Sequence, residues 1–489
     1  MKKLILIVLI SVSVYAQSNF MSFVNYVNQQ PDLTSKQQKL DSFMVYHTNN
    51  GGFPVIEGNA AIFIYRGAGN SSTVAGDFTG WSATQSTAMT RIQTTDFFYY
   101  FRTFEMNARQ DYKFVINGSN WILDPHNPNR VPGGFGPNSE LAMPDYIQPW
   151  EVKYYPGVPQ GTLLFDNITS VNTSSSFQLI IFLPPGYDQQ SSERYPAVYF
   201  QDGSDYVNFA QSKLVLENGL DSGKIAKVIG VFVVPNNRND EYAGGKRNQY
   251  SKFFAEELVP FIDNKYKTIS EGSKRLVLGD SFGGNISALI SWQYPEIFPN
   301  CGLHSSAFWP NNYEVFNLIV NAPKKNIKFF AVWGTYESLF TNMRTFRDSL
   351  LTKGYELYWR ELPEGHSWGL WRANIMNMIS FYFPGEPQSI YDHTKEEINF
   401  VLNQNYPNPF GMGVNSANST ISLSLMSYEN VKVQVFDING RLVNTVFNGN
   451  LSAGEHSFQI SSENLSSGIY FYRIIAGNKS DVKRMVVVR

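Results

Sequence analysis

The sequence predicts an α/β domain with a mostly parallel sheet, placed between two smaller domains built from β-strands. In the central part, apolar runs of strand length alternate with helical segments, as at 197–200, 208–220 and 228–234. From about 60 to 146, and again after 399, short alternating strands are separated by turn residues. With 489 residues, 43% of them hydrophobic, the chain is long enough to build two or three cores.

The amino-terminal end has the pattern of a secretory signal peptide at 1–16. Two lysines precede an apolar run at 4–14, which is too short to cross a bilayer and ends in small residues suited to cleavage after Ala16. No other segment is long and apolar enough to span, so the mature protein is expected to be exported without an integral membrane segment. Residues 17–55 are polar and rich in amides, and are expected to be helical or loosely ordered.

The central domain contains a Gly-x-Ser-x-Gly turn at 279–283, with Ser281 in the middle. An apolar run at 275–278 enters the turn, and a helical pattern of apolar residues follows from Ile286. A strand, a sharp turn and a helix together form the context of a nucleophile elbow, which holds a serine oxygen out at the carboxyl end of a sheet. We therefore expect Ser281 to be a nucleophile, the alternative being an ordinary serine in a turn.

An elbow serine requires an acid and then a histidine, each after a later strand. Glu337 follows a strand-like run in a glycine loop, and His366 follows the next strand, so the order fits. His366 would take the proton from the serine, and Glu337 would orient the imidazole. The competing residues fit less well: His304 precedes the acid, Asp348 lies inside a predicted helix at 339–353, and Glu364 is only two residues from the histidine.

Composition excludes several classes of function. The net charge of −2, without lysine- or arginine-rich runs, offers no nucleic-acid footprint. The single cysteine, Cys301, permits no internal disulfide, and no Cys/His cluster has zinc spacing. We expect no metal and no cofactor. Aromatic residues make up 15% of the chain, which suits sugar or aryl ligands and sandwich cores equally.

The first β-rich segment, 56–148, contains Asp-Phe-Thr-Gly-Trp at 77–81 and Trp-Ile-Leu-Asp-Pro at 121–125. It resembles the glycogen-binding type of module in the early-set superfamily of immunoglobulin-like β-sandwiches, which often precedes secreted esterases. The resemblance implies that two tryptophans stack on sugar rings while a lysine and an asparagine bind hydroxyls. The alternative is that these residues only pack the module against the next domain. The four positions are Trp81, Lys113, Trp121 and Asn138.

The central segment, 150–384, combines Leu-Pro-Pro-Gly-Tyr ending at Tyr187, the elbow, and Gly-His-Ser-Trp from 365. It resembles the esterase branch of the α/β hydrolases that includes enterochelin, feruloyl and acetylxylan esterases. The resemblance implies an α/β hydrolase fold and an oxyanion hole. One donor would be the backbone N–H of Phe282 and the other the N–H of Ser204, in the loop after the third strand.

Further residues of the central domain are candidates for substrate binding. Arg238 lies in a loop over the same sheet edge, where it would contact substrate oxygens or, alternatively, anchor the loop through Glu241. Trp309, Trp368 and Trp371 are candidates for an aromatic acyl pocket, although core packing is the more common role of tryptophan.

A polar linker at 385–398 leads to a strand-rich segment, 399–489, which opens with Asn-Tyr-Pro-Asn-Pro-Phe at 405–410. This segment resembles the type A sorting domain of the type IX secretion system. The resemblance implies that the type IX machinery is a partner and that the protein is secreted or held at the outer-membrane surface. The alternative is an additional carbohydrate-binding sandwich.

The combined interpretation is a secreted serine carboxylesterase that releases feruloyl or related acyl groups from a plant polysaccharide such as arabinoxylan. The substrate side depends on the resemblances and on the neighbouring domains. One alternative is hydrolysis of siderophore-type or general aryl esters, including polyester-like substrates. An alternative of another class is a surface glycan-binding protein without catalytic activity.

Overall fold

A computed structural model describes residues 19–84, 87–385, 400–411, 416–425, 429–438, 441–452, 454–463, 465–476 and 479–488. The chain divides into two compact units, Met1–Ser389 and Ile390–Arg489. The predicted signal peptide, 1–16, and all but the first residue of the predicted linker, 385–398, lie outside the described residues. No helix in the described ranges is both long and apolar enough to cross a membrane.

The first unit begins with two helices and a β-sandwich, which we call the N-terminal sandwich. One sheet has the strand order β1-β2-β5-β4, and the other has the order β3-β6-β9-β8 with β7 paired to β6. The elements are α1 (Asn19–Asn28), α2 (Leu33–Asn49), β1 (Val55–Glu57), β2 (Ala60–Arg66), β3 (Ser72–Gly76), β4 (Thr90–Arg91), β5 (Phe97–Thr103), β6 (Arg109–Ile116), β7 (Asn120–Ile122), β8 (Arg130–Val131) and β9 (Asn138–Ala142).

The polar segment before the sandwich, which was expected to be helical or loosely ordered, is helical in α1 and α2. The carboxylate of Asp32 caps α2 by accepting a hydrogen bond of 2.8 Å from the Ser35 N–H. Both helices cover the outer face of the first sheet, where Phe20 and Leu40 pack with Ile62 of β2. The few apolar residues of this amide-rich segment are therefore buried against a sheet face that would otherwise be exposed.

The rest of the first unit is an α/β domain with an eight-stranded sheet in the order β10-β11-β13-β12-β14-β15-β16-β17. The elements are β10 (Thr162–Ser170), β11 (Ser175–Leu183), β12 (Ala197–Phe200), α3 (Gly203–Asn208), α4 (Ser212–Asp221), β13 (Ile229–Val234), α5 (Arg238–Tyr242), α6 (Arg247–Phe253), α7 (Val259–Lys265), β14 (Arg275–Asp280), α8 (Phe282–Gln293), β15 (Asn300–His304), α9 (Pro310–Asn321), β16 (Lys328–Gly334), α10 (Phe340–Thr352), β17 (Glu356–Leu362), α11 (Trp368–Arg372) and α12 (Ile375–Tyr382).

The prediction of a mostly parallel sheet is confirmed, with one qualification. The six strands from β13 to β17 in this order are parallel, whereas β11 pairs antiparallel with both β10 and β13. Apolar clusters cover both faces of the sheet, as expected for buried parallel strands. Because parallel strands end at one edge, the loops after β12, β13, β14, β16 and β17 meet there.

The second unit is a small sandwich of two sheets, with strand orders β18-β19-β22 and β21-β20-β23-β24. Alternate residues of β19 and β20, such as Ile421, Leu423, Val431 and Val433, point into its core. The strands are β18 (Phe400–Leu402), β19 (Asn418–Leu425), β20 (Glu429–Asp437), β21 (Leu442–Leu451), β22 (Gly454–Ser461), β23 (Gly468–Ala476) and β24 (Lys479–Val487).

Candidate active site

Ser281 lies in a sharp turn between β14 and α8, with φ 52° and ψ −117°. A positive φ at a non-glycine residue is strained and has to be held by its surroundings. Here the Ser281 N–H donates to the carbonyl of His304 at 2.9 Å. A Cβ on Gly279 would lie 2.5 Å from backbone atoms of Gly283, so this turn excludes larger residues at position 279.

Glu337 and His366 lie in the loops after β16 and β17, at the same edge of the sheet. His366 Nδ1 forms a hydrogen bond with Glu337 Oε2, and the other carboxylate oxygen accepts the Gly334 N–H at 2.8 Å. The Glu337 side chain is 1% exposed and that of His366 is 34% exposed. An ionised carboxylate only accepts hydrogen bonds, so Nδ1 carries the proton and Nε2 remains a basic atom.

Ser281 and His366 line one cavity of about 780 Å³. Among the residues that the structure describes, no hydrogen bond joins the two side chains. Such bonds are often long before substrate binds and shorten in the complex. The arrangement can supply a nucleophile and a base to a ligand in this cavity.

None of the competing histidine and acid residues lines this cavity. His304 is buried beneath the elbow with Nδ1 2.8 Å from the Tyr206 hydroxyl, and burial lowers the pKa of its imidazole to about 3. Asp348 is an exposed residue of α10. Glu364 is buried. His304 is therefore a neutral residue that supports the elbow.

The two predicted oxyanion donors lie at the amino-terminal ends of helices. Phe282 is the first residue of α8 and Ser204 the second of α3, so neither amide has a partner within its helix. The first residue of α3 lies close to the sheet, since a Cβ on Gly203 would lie 2.4 Å from the carbonyl carbon of Phe232. Neither donor residue lines the cavity through its side chain, but the adjacent Ser281 and Asp205 do.

Arg238 lines the cavity and binds the loop after β12. Its Nε and one terminal nitrogen donate to the two carboxylate oxygens of Asp202 at 2.7 and 2.8 Å. Its guanidinium also lies 5.8 Å from the ring centre of Phe282. The predicted alternative, in which Arg238 anchors its loop through Glu241, is wrong, because Glu241 accepts the Asn236 N–H at 3.0 Å instead.

A second acid, Asp280, precedes the candidate nucleophile and lies near the same guanidinium. Its Oδ2 atom is 3.6 Å from Arg238, which already pairs with Asp202. Burial, reinforced by the charge of Asp202, raises the pKa of Asp280 well above its usual range. One cation therefore faces two buried acids, and the closer ion pair is the one with Asp202.

The tryptophans predicted for an acyl pocket have different positions. Trp368 is 8% exposed, lines the cavity and packs edge-to-face on Trp371, which contacts the ring of His366 in the same way. Trp309 is 52% exposed, packs on Phe282 and does not line the cavity. The prediction that Trp309 forms part of the pocket wall is therefore corrected.

The four residues predicted to bind sugar line the same cavity as Ser281 and His366. Trp121 is 45% exposed, and Asn138 Nδ2 donates to Asp111 Oδ2 at 3.1 Å. The indole N–H of Trp81 donates to Asp77 at 3.0 Å. The N-terminal sandwich thus supplies one wall of the cavity. The four residues are Trp81, Lys113, Trp121 and Asn138.

Phe135 is a cavity-lining residue that the sequence analysis missed. It is fully exposed and lies in the glycine-rich loop between β8 and β9, flanked by Gly134 and Gly136. An aromatic residue surrounded by glycines in a predicted ligand-binding module is a signal that could have identified it.

In the described parts of the chain, no group of three or more His, Cys, Asp or Glu side chains is arranged to hold a metal ion.

Two parts of the chain match known protein families. Residues 170–382 match the family described as "Putative esterase", and residues 404–488 match the secretion system C-terminal sorting domain. An uncharacterized Bacillus subtilis protein, YjcH, is 31% identical over 150 residues, and the endo-1,4-beta-xylanase/feruloyl esterase of Xylanibacter ruminicola is 29% identical over 136 residues. These matches cover 30% and 26% of this chain, but 62% and 19% of those proteins. The chain thus spans less than two thirds of the length of these relatives.

Two solved structures share the fold. The ferric enterobactin esterase of Salmonella typhimurium superposes with a TM-score of 0.61 at 18% identity, covering 70% of this chain and 98% of that chain. The enterobactin esterase of Shigella flexneri gives 0.56 at 19% identity, covering 66% and 92%. The sorting domain indicates export to the cell surface or beyond. Residues 170–382 therefore form a domain of the "Putative esterase" family, and 404–488 form a secretion system C-terminal sorting domain.

Proposed function

We propose that this protein is an exported serine carboxylesterase in which Ser281 is the nucleophile, His366 the base and Glu337 its orienting acid. The observation that supports this most directly is the buried Glu337 bonded to His366 Nδ1, with His366 and the elbow serine lining one cavity. The unprotonated Nε2 of His366 is the only nitrogen of that ring left to accept the serine proton.

In this reaction the Ser281 Oγ attacks the ester carbonyl while His366 Nε2 takes its proton. The N–H groups of Phe282 and Ser204 stabilise the negative oxygen, and collapse of the intermediate expels the alcohol, which takes the proton back from His366. Water activated by His366 then attacks the acyl-enzyme and releases the acid. Glu337 stabilises the charged imidazole in both steps.

We further propose that the substrate is a feruloyl or related aryl ester carried on a plant polysaccharide such as arabinoxylan. The cavity supports this because its two walls suit the two halves of such an ester. Trp368 and Trp371 line the wall beside His366, where a planar acyl group would lie. Trp121, Phe135 and Lys113 line the sandwich wall, where exposed rings and a cation suit sugar rings and hydroxyls.

Two further features are consistent with a polysaccharide substrate. The sorting domain directs the protein out of the cell, where the type IX secretion machinery would be its partner and large polymers are accessible. One relative combines a xylanase with a feruloyl esterase in a single protein. The fold shared with enterobactin esterases supports a second candidate, hydrolysis of siderophore-type aryl esters.

The mechanism is tested with Ser281→Ala, His366→Ala and the double variant on p-nitrophenyl acetate. Each single variant is expected to abolish turnover to a similar extent, with no further loss in the double variant, because the residues act as a unit. Glu337→Gln should lose less activity. Asp348→Asn, an exposed carboxylate outside the cavity, is the control and should match the wild type. Equal turnover by Ser281→Ala and the wild type would contradict the mechanism, and no turnover by either protein would leave the non-catalytic glycan-binding alternative.

The substrate is tested by comparing kcat/KM on methyl ferulate, feruloylated arabinoxylan oligosaccharides, acetylxylan and enterobactin. A preference for the feruloylated oligosaccharide over methyl ferulate is expected, because only that substrate reaches both cavity walls. A preference for enterobactin over every feruloyl ester would support the second candidate instead.

A further inference from the structure

We infer that Arg109, on β6 of the N-terminal sandwich, is a positioning residue for His366. The sandwich would then be required for the chemical step as well as for binding. This inference rests on the proposed role of His366 as the base. It concerns the segment 363–369, which carries His366 and passes directly against the sandwich.

Arg109 is completely buried, and each of its guanidinium nitrogens has an oxygen partner. Nε donates to Glu140 Oε2 at 2.9 Å, and one terminal nitrogen donates to Asp111 Oδ1 at 2.5 Å. The other terminal nitrogen donates to the hydroxyl of Ser367 at 3.1 Å and lies 3.6 Å from Glu364 Oε2. The guanidinium thus joins two carboxylates of the sandwich to residues on both sides of His366.

Backbone contacts hold the start of the same segment. The carbonyl of Pro363 accepts the Arg109 N–H at 3.1 Å and the Gln110 side-chain amide at 2.9 Å. Two donors from consecutive residues of β6 therefore fix the point at which the chain leaves β17 and enters the histidine loop. A carbonyl with two such donors would be costly to displace.

Two glycines of the segment allow the sandwich to approach this closely. A Cβ on Gly365 would lie 1.9 Å from the carboxyl carbon of Asp77, and a Cβ on Gly369 would lie 2.0 Å from the Arg109 Cζ atom. At both positions, on either side of His366, a side chain would have to displace the buried side chain of Asp77 or Arg109. The segment is thus held at residues 363, 365, 367 and 369.

Charge makes this arrangement dependent on Arg109. Asp111, Glu140 and Glu364 are buried around it, and among the described residues Arg372 is the other cation near this group, 3.6 Å from Glu140. Burial also raises the pKa of Glu364 to about 7. Without the guanidinium, the remaining carboxylates would repel one another, and the loop between them would move.

A small movement here would affect catalysis, because a base must be held within about 0.5 Å of its productive position and an error of about 1 Å typically costs about 100-fold. From its own domain, the imidazole is held by Glu337 at Nδ1. That bond fixes which nitrogen is basic. The backbone beside His366 is held by its own domain at Glu364, whose carbonyl accepts the Tyr336 N–H at 3.0 Å, and by the sandwich through Arg109 and Gln110. Loss of Arg109 should therefore lower kcat more than it raises KM.

The test uses the full chain with methyl ferulate, which is small enough not to need the sugar-binding wall. Arg109→Gln and Arg109→Lys are expected to lower kcat about 100-fold with KM changed less than fourfold. Lysine is not expected to restore activity, because it cannot form the same planar set of hydrogen bonds. The acidic limb of the pH–rate profile, where the base is lost by protonation, should also move, because the environment of His366 changes.

Arg66→Gln is the matched control. Arg66 belongs to the same sandwich, is mostly buried and pairs with Asp41 and Asp96, away from the histidine loop. It is expected to lower the melting temperature without lowering kcat measured well below that temperature. Should Arg109→Gln fail to fold, Gln110→Leu removes one of the two donors to Pro363 and should lower kcat about tenfold.

Wild-type kcat in a folded Arg109→Gln protein, or a loss confined to KM, would overturn the inference. If only Gln110→Leu can be measured, an unchanged kcat would overturn it equally. These results are distinguishable from failure of the proposed function. In that case Ser281→Ala and His366→Ala would themselves keep wild-type turnover, whereas here they would be inactive.

Discussion

Trp121 offers a sensitive test of whether the N-terminal sandwich binds the alcohol half of the substrate. The side chain is 45% exposed at the cavity, whereas a tryptophan in a structural interface would be buried. A tryptophan buries about 150–250 Å² in full, so stacking could cover roughly 70–110 Å² of this residue. At about 25 cal/mol per Å², that area is worth about 2–3 kcal/mol before the cost of ordering the ligand.

We therefore expect Trp121→Ala to lose about 1–2 kcal/mol of binding, which corresponds to about 5–30-fold in kcat/KM on feruloylated arabinoxylan oligosaccharides. Turnover of methyl ferulate and the melting temperature should change little, because the residue is already half exposed. Tyr46→Ala is the matched control, since Tyr46 is 59% exposed on α2 and does not line the cavity. An equal loss on both substrates would refute the reasoning, and so would a lower melting temperature with unchanged oligosaccharide hydrolysis.

Two further predictions concern pH and processing. Burial raises the pKa of Glu364 from 4.5 to about 7. Protonated Glu364 therefore contributes to the free energy of unfolding, and this contribution is complete below pH 4.5. Up to about 3 kcal/mol of it is lost as the pH rises through 7. The melting temperature of Glu364→Gln should therefore fall less between pH 5 and 8 than that of the wild type, and parallel curves would contradict this. A protein ending at residue 398 should keep wild-type turnover of methyl ferulate, and intact mass of the exported protein should show that residues after about 398 are removed. Retention of 399–489 on a periplasmic protein would contradict the sorting assignment.

Much of the α/β domain could be predicted because its sequence patterns are local. The helix predicted at 339–353 is observed at Phe340–Thr352, and the turn at 279–283 follows the strand Arg275–Asp280. Since parallel strands share one edge, their order in the sequence was sufficient to bring Ser281, Glu337 and His366 to the same side. The glycines of the elbow could also be predicted from the sequence, because steric contacts within the turn itself require them.

The residues that were missed or misplaced depend on contacts between domains. Arg109 is an unremarkable residue at the start of a strand, and its partners Ser367 and Glu364 are more than 250 residues away in the chain. The shared cavity was also unpredictable, since the sequence does not specify which face of the sandwich meets the α/β domain. Trp309 was assigned to the pocket by residue type, but the direction of its side chain depends on packing against Phe282.

The two glycines on either side of His366 have a consequence for related sequences. A side chain at position 365 or 369 would overlap side chains of the sandwich. Glycine at these two positions of the esterase domain is therefore a sequence feature that accompanies the docked sandwich. A related esterase with larger residues at both positions could hold a sandwich in this pose only if the side chains that stand at Asp77 and Arg109 were smaller or moved away. The pair therefore offers a way to separate, from sequence, esterases whose preceding module forms part of the active site from those in which it is only tethered.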